Sequence, residues 1–177
     1  MERATRTISD EELRRQEGFC EKIAALWWER ERVPLAFVDT YGCQQNEADS
    51  ERIRGMLRES GYAMGESEEG ADVVVINTCA IREHAEQRVY GNVGALVHTK
   101  RRHPEQKIFV CGCMMGEPHA VARIRESFPY VDGAFNPHQL WRFPELLYAV
   151  LTGKKRVFAT EDSAGVIAEG LPVVRAD

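Results

Sequence analysis

Residues 72–76 read Asp-Val-Val-Val-Ile, an almost uninterrupted β-branched run. Such side chains are stiff at χ1 and favour the pleated strand. A strand with no polar alternation has no face to give to water, so it must be covered on both sides. That requirement selects a parallel sheet sandwiched between helices. Short apolar runs at 35–38, 62–64, 107–111 and 131–134 alternate with amphipathic stretches at about 46–60, 81–102, 117–127 and 137–151. Five strands alternating with helices predict a doubly wound, mostly parallel α/β sheet with right-handed crossovers and helices on both faces.

A flavodoxin- or Rossmann-like strand order is the natural form of such a sheet, and ligands then sit outside the carboxyl ends of the strands. Before the first strand, Ser9 and Glu12 form a capping box, and Phe19, Ile23, Leu26 and Trp27 follow at helical spacing until Pro34. This gives an added N-terminal helical extension over 1–34 that lies on the domain, a main domain over 35–151 and, over 152–177, an aperiodic tail that reads as a strand remnant followed by a linker. The 177 residues suffice for one real core. No apolar run approaches the ~20 residues needed to span a bilayer, and the start at Met1-Glu2-Arg3-Ala4 leads into no signal core. The expectation is a soluble, cytoplasmic protein with no membrane partner. A net charge of −5 gives no support to a broad nucleic-acid surface and leaves room for a local basic patch.

Five cysteines in a chain with this much core read as reduced thiols rather than a disulfide framework. Cys43, Cys79 and Cys113 each follow a predicted strand and precede a predicted helix. Parallel strands present their carboxyl ends on one edge, so these three thiols are expected in one crevice, beside helix N-termini that favour thiolates. Cys20 falls on the apolar side of the first helix and Cys111 inside a strand, both core positions. Cys111 is also an alternate or neighbouring thiol, because strand alternation through Gly112 would turn it to the side of Cys113. Three thiolates without an obvious fourth suit a cubane cluster with one iron left open. A reactive thiol pair and a zinc site compete with it. The paired C-x₂-C or H-x₃-H elements usual for zinc are missing, and His84, His98, His103, His119 and His138 fall on or beside helices.

Thr40-Tyr41-Gly42-Cys43-Gln44-Gln45-Asn46 with Asp49-Ser50, Asn77-Thr78-Cys79-Ala80-Ile81-Arg82-Glu83, and Gly112-Cys113 resemble the amino-terminal domain of the radical-SAM methylthiotransferases. The likeness spans about residues 35–150. It implies an auxiliary [4Fe–4S] cluster on Cys43, Cys79 and Cys113. The words around these cysteines, with Arg88-Val89-Tyr90-Gly91, are most similar to the MiaB-type, tRNA-modifying branch. The branches acting on threonylcarbamoyladenosine or on a ribosomal protein use different words. Gln45 departs from the Met common at its position.

The resemblance implies 2-methylthiolation of N(6)-dimethylallyladenosine beside the tRNA anticodon. The full enzymes pair this domain with a radical-SAM barrel holding a second [4Fe–4S] cluster on C-x₃-C-x₂-C and cleaving S-adenosylmethionine. This sequence has no such motif, so the resemblance implies an amino-terminal half whose partners are its own radical-SAM domain, a sulfur donor and tRNA. Around the thiols, Asn77 is expected to hold the crevice by hydrogen bonds and Asn46 to cap a helix. Arg82 and Glu83 are read either as contacts to substrate or partner domain or as a helix-start ion pair.

Overall fold

Helix α1, Asp10–Glu29, starts where Ser9 accepts a hydrogen bond from the Glu12 N–H at 3.2 Å and three acidic residues fill the first turn. Its buried stripe is Gln16, Cys20, Ile23 and Trp27. The computed structural model describes residues 8–42, 44–79, 83–153, 155–160 and 167–168. Beyond α1 come β1 (Leu35–Thr40), α2 (Gln44–Glu59), β2 (Ala63–Met64), β3 (Val73–Thr78), α3 (Glu83–Arg102) and β4 (Lys107–Gly112). A 3-10 turn at Cys113–Gly116, α4 (Pro118–Ser127), β5 (Gly133–Phe135), a second 3-10 turn at Pro137–Arg142, α5 (Phe143–Thr152), β6 (Val157–Ala159) and β7 (Ile167–Ala168) follow.

The strand order is β2-β1-β3-β4-β5-β6-β7, parallel throughout except for the two-residue antiparallel edge strand β7. Its first five strands carry the expected flavodoxin-like order. The sheet is wider than expected, because β6 pairs with β5 and is fully buried beyond residue 151, where the sequence pattern places the domain edge. The strand remnant read in the tail is this strand, which at three residues is too short to show periodicity and so gave no sign that it extends the sheet. The stretch expected as one helix over 137–151 is a 3-10 turn followed by α5, with Pro144 in the first turn of the helix.

Period-2 alternation divides the core into two layers. Val73, Val75, Phe109 and Cys111 pack with Ile23, Ile53, Leu57 and Leu147 on the face covered by α1, α2 and α5. Val74, Ile76, Ile108 and Val110 pack with Val89, Val93, Leu96 and Ile124 on the face covered by α3 and α4. Every residue of β3 is buried, as the run at 73–76 requires. Each of these aliphatic side chains contributes about 1.5–3 kcal/mol by leaving water.

The chain direction reverses between β1 and β3, where β1 leads outward to β2 and β3 leads the other way to β4. Thr40 is in register with Asn77, and Thr78 with Gly112. The three strands preceding the candidate thiols therefore end side by side at the topological switch point.

Candidate metal centre at the carboxyl edge of the sheet

Gly42, the residue before Cys43, has φ +126° and lies directly on Cys79. A β-carbon at Gly42 would stand 2.5 Å from Cys79 Cβ and 3.1 Å from its Sγ. Gly112, the residue before Cys113, has φ +93° and presses on β3 in the same way. A β-carbon there would stand 2.6 Å from both Asn77 Oδ1 and the Thr78 amide nitrogen. Glycine is needed twice because two backbones pass closer to their neighbours than any side chain permits. Cys43 itself lies outside the described residues, as do Arg82 and the side chain of Glu83.

Cys79 is buried and Cys113 is exposed at the start of its 3-10 turn. Cys111 departs from the expected alternation. The positive φ at Gly112 breaks the pleat, so Cys113 turns out to solvent while Cys111, 1% exposed, stays in the core against Phe109 and Phe135. Burial pushes its thiol well above the ordinary range, and its Sγ sits 3.8 Å from Asn77 Oδ1. It is a neutral core thiol, not a neighbour on the open side.

Beneath the cysteine loops lies a polar layer buried between strands and α2. Asn46 Nδ2 donates to the Thr78 carbonyl at 2.7 Å, and Asn77 Nδ2 donates to the Asn46 carbonyl at 2.8 Å and to Ser50 Oγ at 3.0 Å. Ser50 Oγ also shares a 2.7 Å hydrogen bond with Thr40 Oγ1. Thr78 Oγ1 donates to the Cys111 carbonyl at 2.6 Å and accepts from the Met114 N–H at 3.3 Å. The three strand ends are thus cross-tied by short polar side chains. Asn46 is not the helix cap expected of it, since α2 already begins at Gln44 and its amide reaches across to β3.

Sequence reading missed Asn46, Ser50, Thr40 and Thr78 as parts of the site. A signal existed: Asn46 and Ser50 continue the buried stripe of Ile53 and Leu57 on α2, and polar residues on an apolar stripe need partners.

On the opposite face, Tyr41 extends the ladder, its N–H donating to the Asn77 carbonyl at 2.8 Å. Its hydroxyl donates to Asp39 Oδ2 at 3.0 Å and accepts from Asn92 Nδ2 on α3. Burial, then the Asp39 carboxylate, pushes the phenol up to about 12, so it keeps its proton at neutral pH. The Arg88 guanidinium stands 6.0 Å from the Tyr41 ring. His103 is engaged by Asp72 at the amino edge and His119 by Glu86. Among the described residues no cluster of three His, Cys, Asp or Glu side chains gathers.

The donor chemistry fits an iron–sulfur cluster. Two described thiols end adjacent strands, and the backbone that carries the third thiol rests on one of them. Soft sulfur ligands of this kind select iron–sulfur clusters, zinc or cuprous ion.

A model of the uncharacterized protein family UPF0004 matches residues 36–136, from the second residue of β1 to just past β5. The chain belongs to this family. The family's matched segment is the methylthiotransferase amino-terminal domain, and it covers all three cysteine loops. Relatives called tRNA-2-methylthio-N(6)-dimethylallyladenosine synthase share this domain in several bacteria. That of Acetivibrio thermocellus is 41% identical over 96% of this chain and 36% of its own length. That of Clostridioides difficile is 41% identical over 93% of this chain and 35% of its own, and that of Alkaliphilus oremlandii 39% over 98% and 36%. The chain spans about a third of the length of these curated relatives. No helix among the described residues is long and apolar enough to cross a membrane.

Proposed function

We propose that this chain is the cluster-binding domain of a tRNA methylthiotransferase, holding a [4Fe–4S] cluster on Cys43, Cys79 and Cys113. The observation that carries the reading is the close approach of Gly42 to Cys79 and of Gly112 to Thr78, which leaves three thiol-bearing loops at neighbouring strand ends. Bound there, the cluster supplies an iron with a coordination position free for a non-protein sulfur ligand. The chain's own residues do the rest. Cys79 is enclosed and anchors the site from beneath, while Cys113 stands at the exposed rim where substrate approaches. Asn77 and Thr78 hold the loops, and Tyr41 keeps its proton and ties β1 to α3.

The reaction is addition of a methylthio group to C2 of N(6)-dimethylallyladenosine next to the anticodon, in the cytoplasm. Completing it requires a radical-SAM domain with a second cluster, S-adenosylmethionine and a sulfur donor, for which these residues carry no C-x₃-C-x₂-C. With a net charge of −5, the chain leaves most phosphate contacts to that other domain.

Anaerobic reconstitution with iron and sulfide is expected to load about four irons per chain, with labile sulfide in equal amount. Cys43→Ala, Cys79→Ala and Cys113→Ala should each lose most of that iron, and Cys111→Ala should keep it. Zinc without sulfide in the purified chain, or full iron in the Cys43→Ala variant, would overturn the assignment.

A further inference from the structure

The two buried asparagines under the cysteine loops cross-tie α2 and β3, each donating to a backbone carbonyl of the other element. Asn46 follows Cys43 by less than one helical turn, and its amide donates to the Thr78 carbonyl, the peptide joined to Cys79. Asn77, two residues before Cys79, donates back to the Asn46 carbonyl. Gly42 closes the arrangement from above, since a β-carbon there would also meet Asn46 Oδ1 at 2.7 Å. Asn46 is 3% exposed and Asn77 1%, so water does not compete for these bonds. Gly42 thus packs on the Cys79 side chain, and Asn46 bonds the peptide leading into Cys79.

We infer that Asn46 is a positioning residue that fixes the first turn of α2 against the backbone leading into Cys79 and thereby sets the grip of this site on its cluster. This rests on the function proposed above. The chemistry demanded at position 46 is narrow. A primary amide supplies a donor toward Thr78 at this reach, whereas a carboxylate of the same shape points an acceptor at an acceptor. A ligand loop already held in place loses little freedom on binding, so loosening the tie that holds the Cys79 loop shows first in retention of the cluster.

Asn46→Asp and Asn46→Ala, made in this chain, are the test, read on three quantities per folded molecule. Loaded wild-type protein and variants are challenged with an iron chelator under argon, their reduced clusters are compared by electron paramagnetic resonance, and the unloaded chains are melted. The variants are expected to release iron about tenfold faster, equivalent to ~1.4 kcal/mol, and to show shifted resonance. Asn46→Asp preserves volume and is the variant to read if Asn46→Ala melts too low for the challenge.

Release rates and spectra equal to wild type overturn the inference and leave the cluster assignment standing. A change confined to the melting temperature overturns it as well, since a scaffold role moves stability and not the spectrum. Failure of wild-type chain to load iron and sulfide overturns the assignment itself, and the inference with it.

Discussion

At the scale of single residues, two cysteines on either side of one glycine, at the end of β4 and the start of its turn, show how one backbone angle assigns opposite roles to like side chains. Gly112 has φ +93° and ψ −168°, a region open essentially to glycine, and it separates the buried Cys111 from the exposed Cys113. Gly112→Ala is expected to lose about 1–3 kcal/mol from backbone strain alone, with more from contact with Thr78, and to melt several degrees lower by calorimetry. In the unloaded chain near neutral pH, iodoacetamide should alkylate Cys113 readily and leave Cys111 and Cys20 untouched until denaturant is added. Peptide mass spectrometry reads this directly, and rapid labelling of Cys111 in the folded chain would contradict its place in the core. The three strand ends of the candidate site were legible because the apolar runs before Cys43, Cys79 and Cys113 stand out in the sequence. The burial of Cys111 was not, since strand alternation holds only while φ stays negative, and one glycine ended it. Asn46 was misread for a related reason: an Asn near a helix start suits a cap, and only the register of β1 against β3 reveals its partner.

Among the elements, α1, read from its apolar stripe as an added helix lying on the domain, is packed into the core. Ile23 and Trp27 are buried in the layer under the sheet, and Trp27 Nε1 donates to the Tyr62 hydroxyl at 3.0 Å. At its other end a polar lock joins it to α5: Gln16 Nε2 donates to Glu145 Oε1 at 3.0 Å, and the Glu145 N–H donates to Gln16 Oε1 at 3.1 Å. Glu145 also takes Arg142 Nη2 at 2.8 Å, and that guanidinium is fully buried. Periodicity predicted the helix and its apolar stripe, but Gln16 on that stripe finds its partners 129 residues away. No local pattern encodes such a pair. Removing a carboxylate that faces a buried cation costs about 3–5 kcal/mol. Glu145→Ala should lower stability by that amount in urea unfolding, and Glu145→Gln by less. A loss under about 1 kcal/mol would mean that the lock contributes little to holding α1.

Across the whole molecule, the two edges of the sheet divide the labour. The carboxyl edge carries the thiols, and the amino edge carries a clamp centred on Asp72, which precedes β3. Its carboxylate takes Arg32 Nη1 at 2.9 Å and Nη2 at 2.6 Å, the Leu35 N–H at 2.8 Å and His103 Nε2 at 3.0 Å. It thereby gathers the end of α1, the start of β1 and the turn after α3. Burial opposes ionisation of Asp72, but hydrogen bonds from Arg32, the Leu35 N–H and His103 outweigh it and hold the carboxyl below its ordinary value of 3.8. A depressed pKa in the folded state means that the unfolded chain takes up the proton first. The clamp's stabilisation is therefore complete above about pH 4–5 and is lost as pH falls through the unfolded and then the folded value. Urea midpoints measured from pH 6 to pH 2 should drop steeply below about pH 4 in the wild type, and more shallowly in Asp72→Asn, which is already weaker at pH 6. Because the clamp lies at the far edge from Gly42, Gly112 and the cysteines, Asp72→Asn should keep its iron stoichiometry and chelator resistance per folded chain at neutral pH. Equal acid slopes in the two proteins would remove Asp72 from the account of acid stability, and weakened iron retention in Asp72→Asn would show that the edges are not energetically separate.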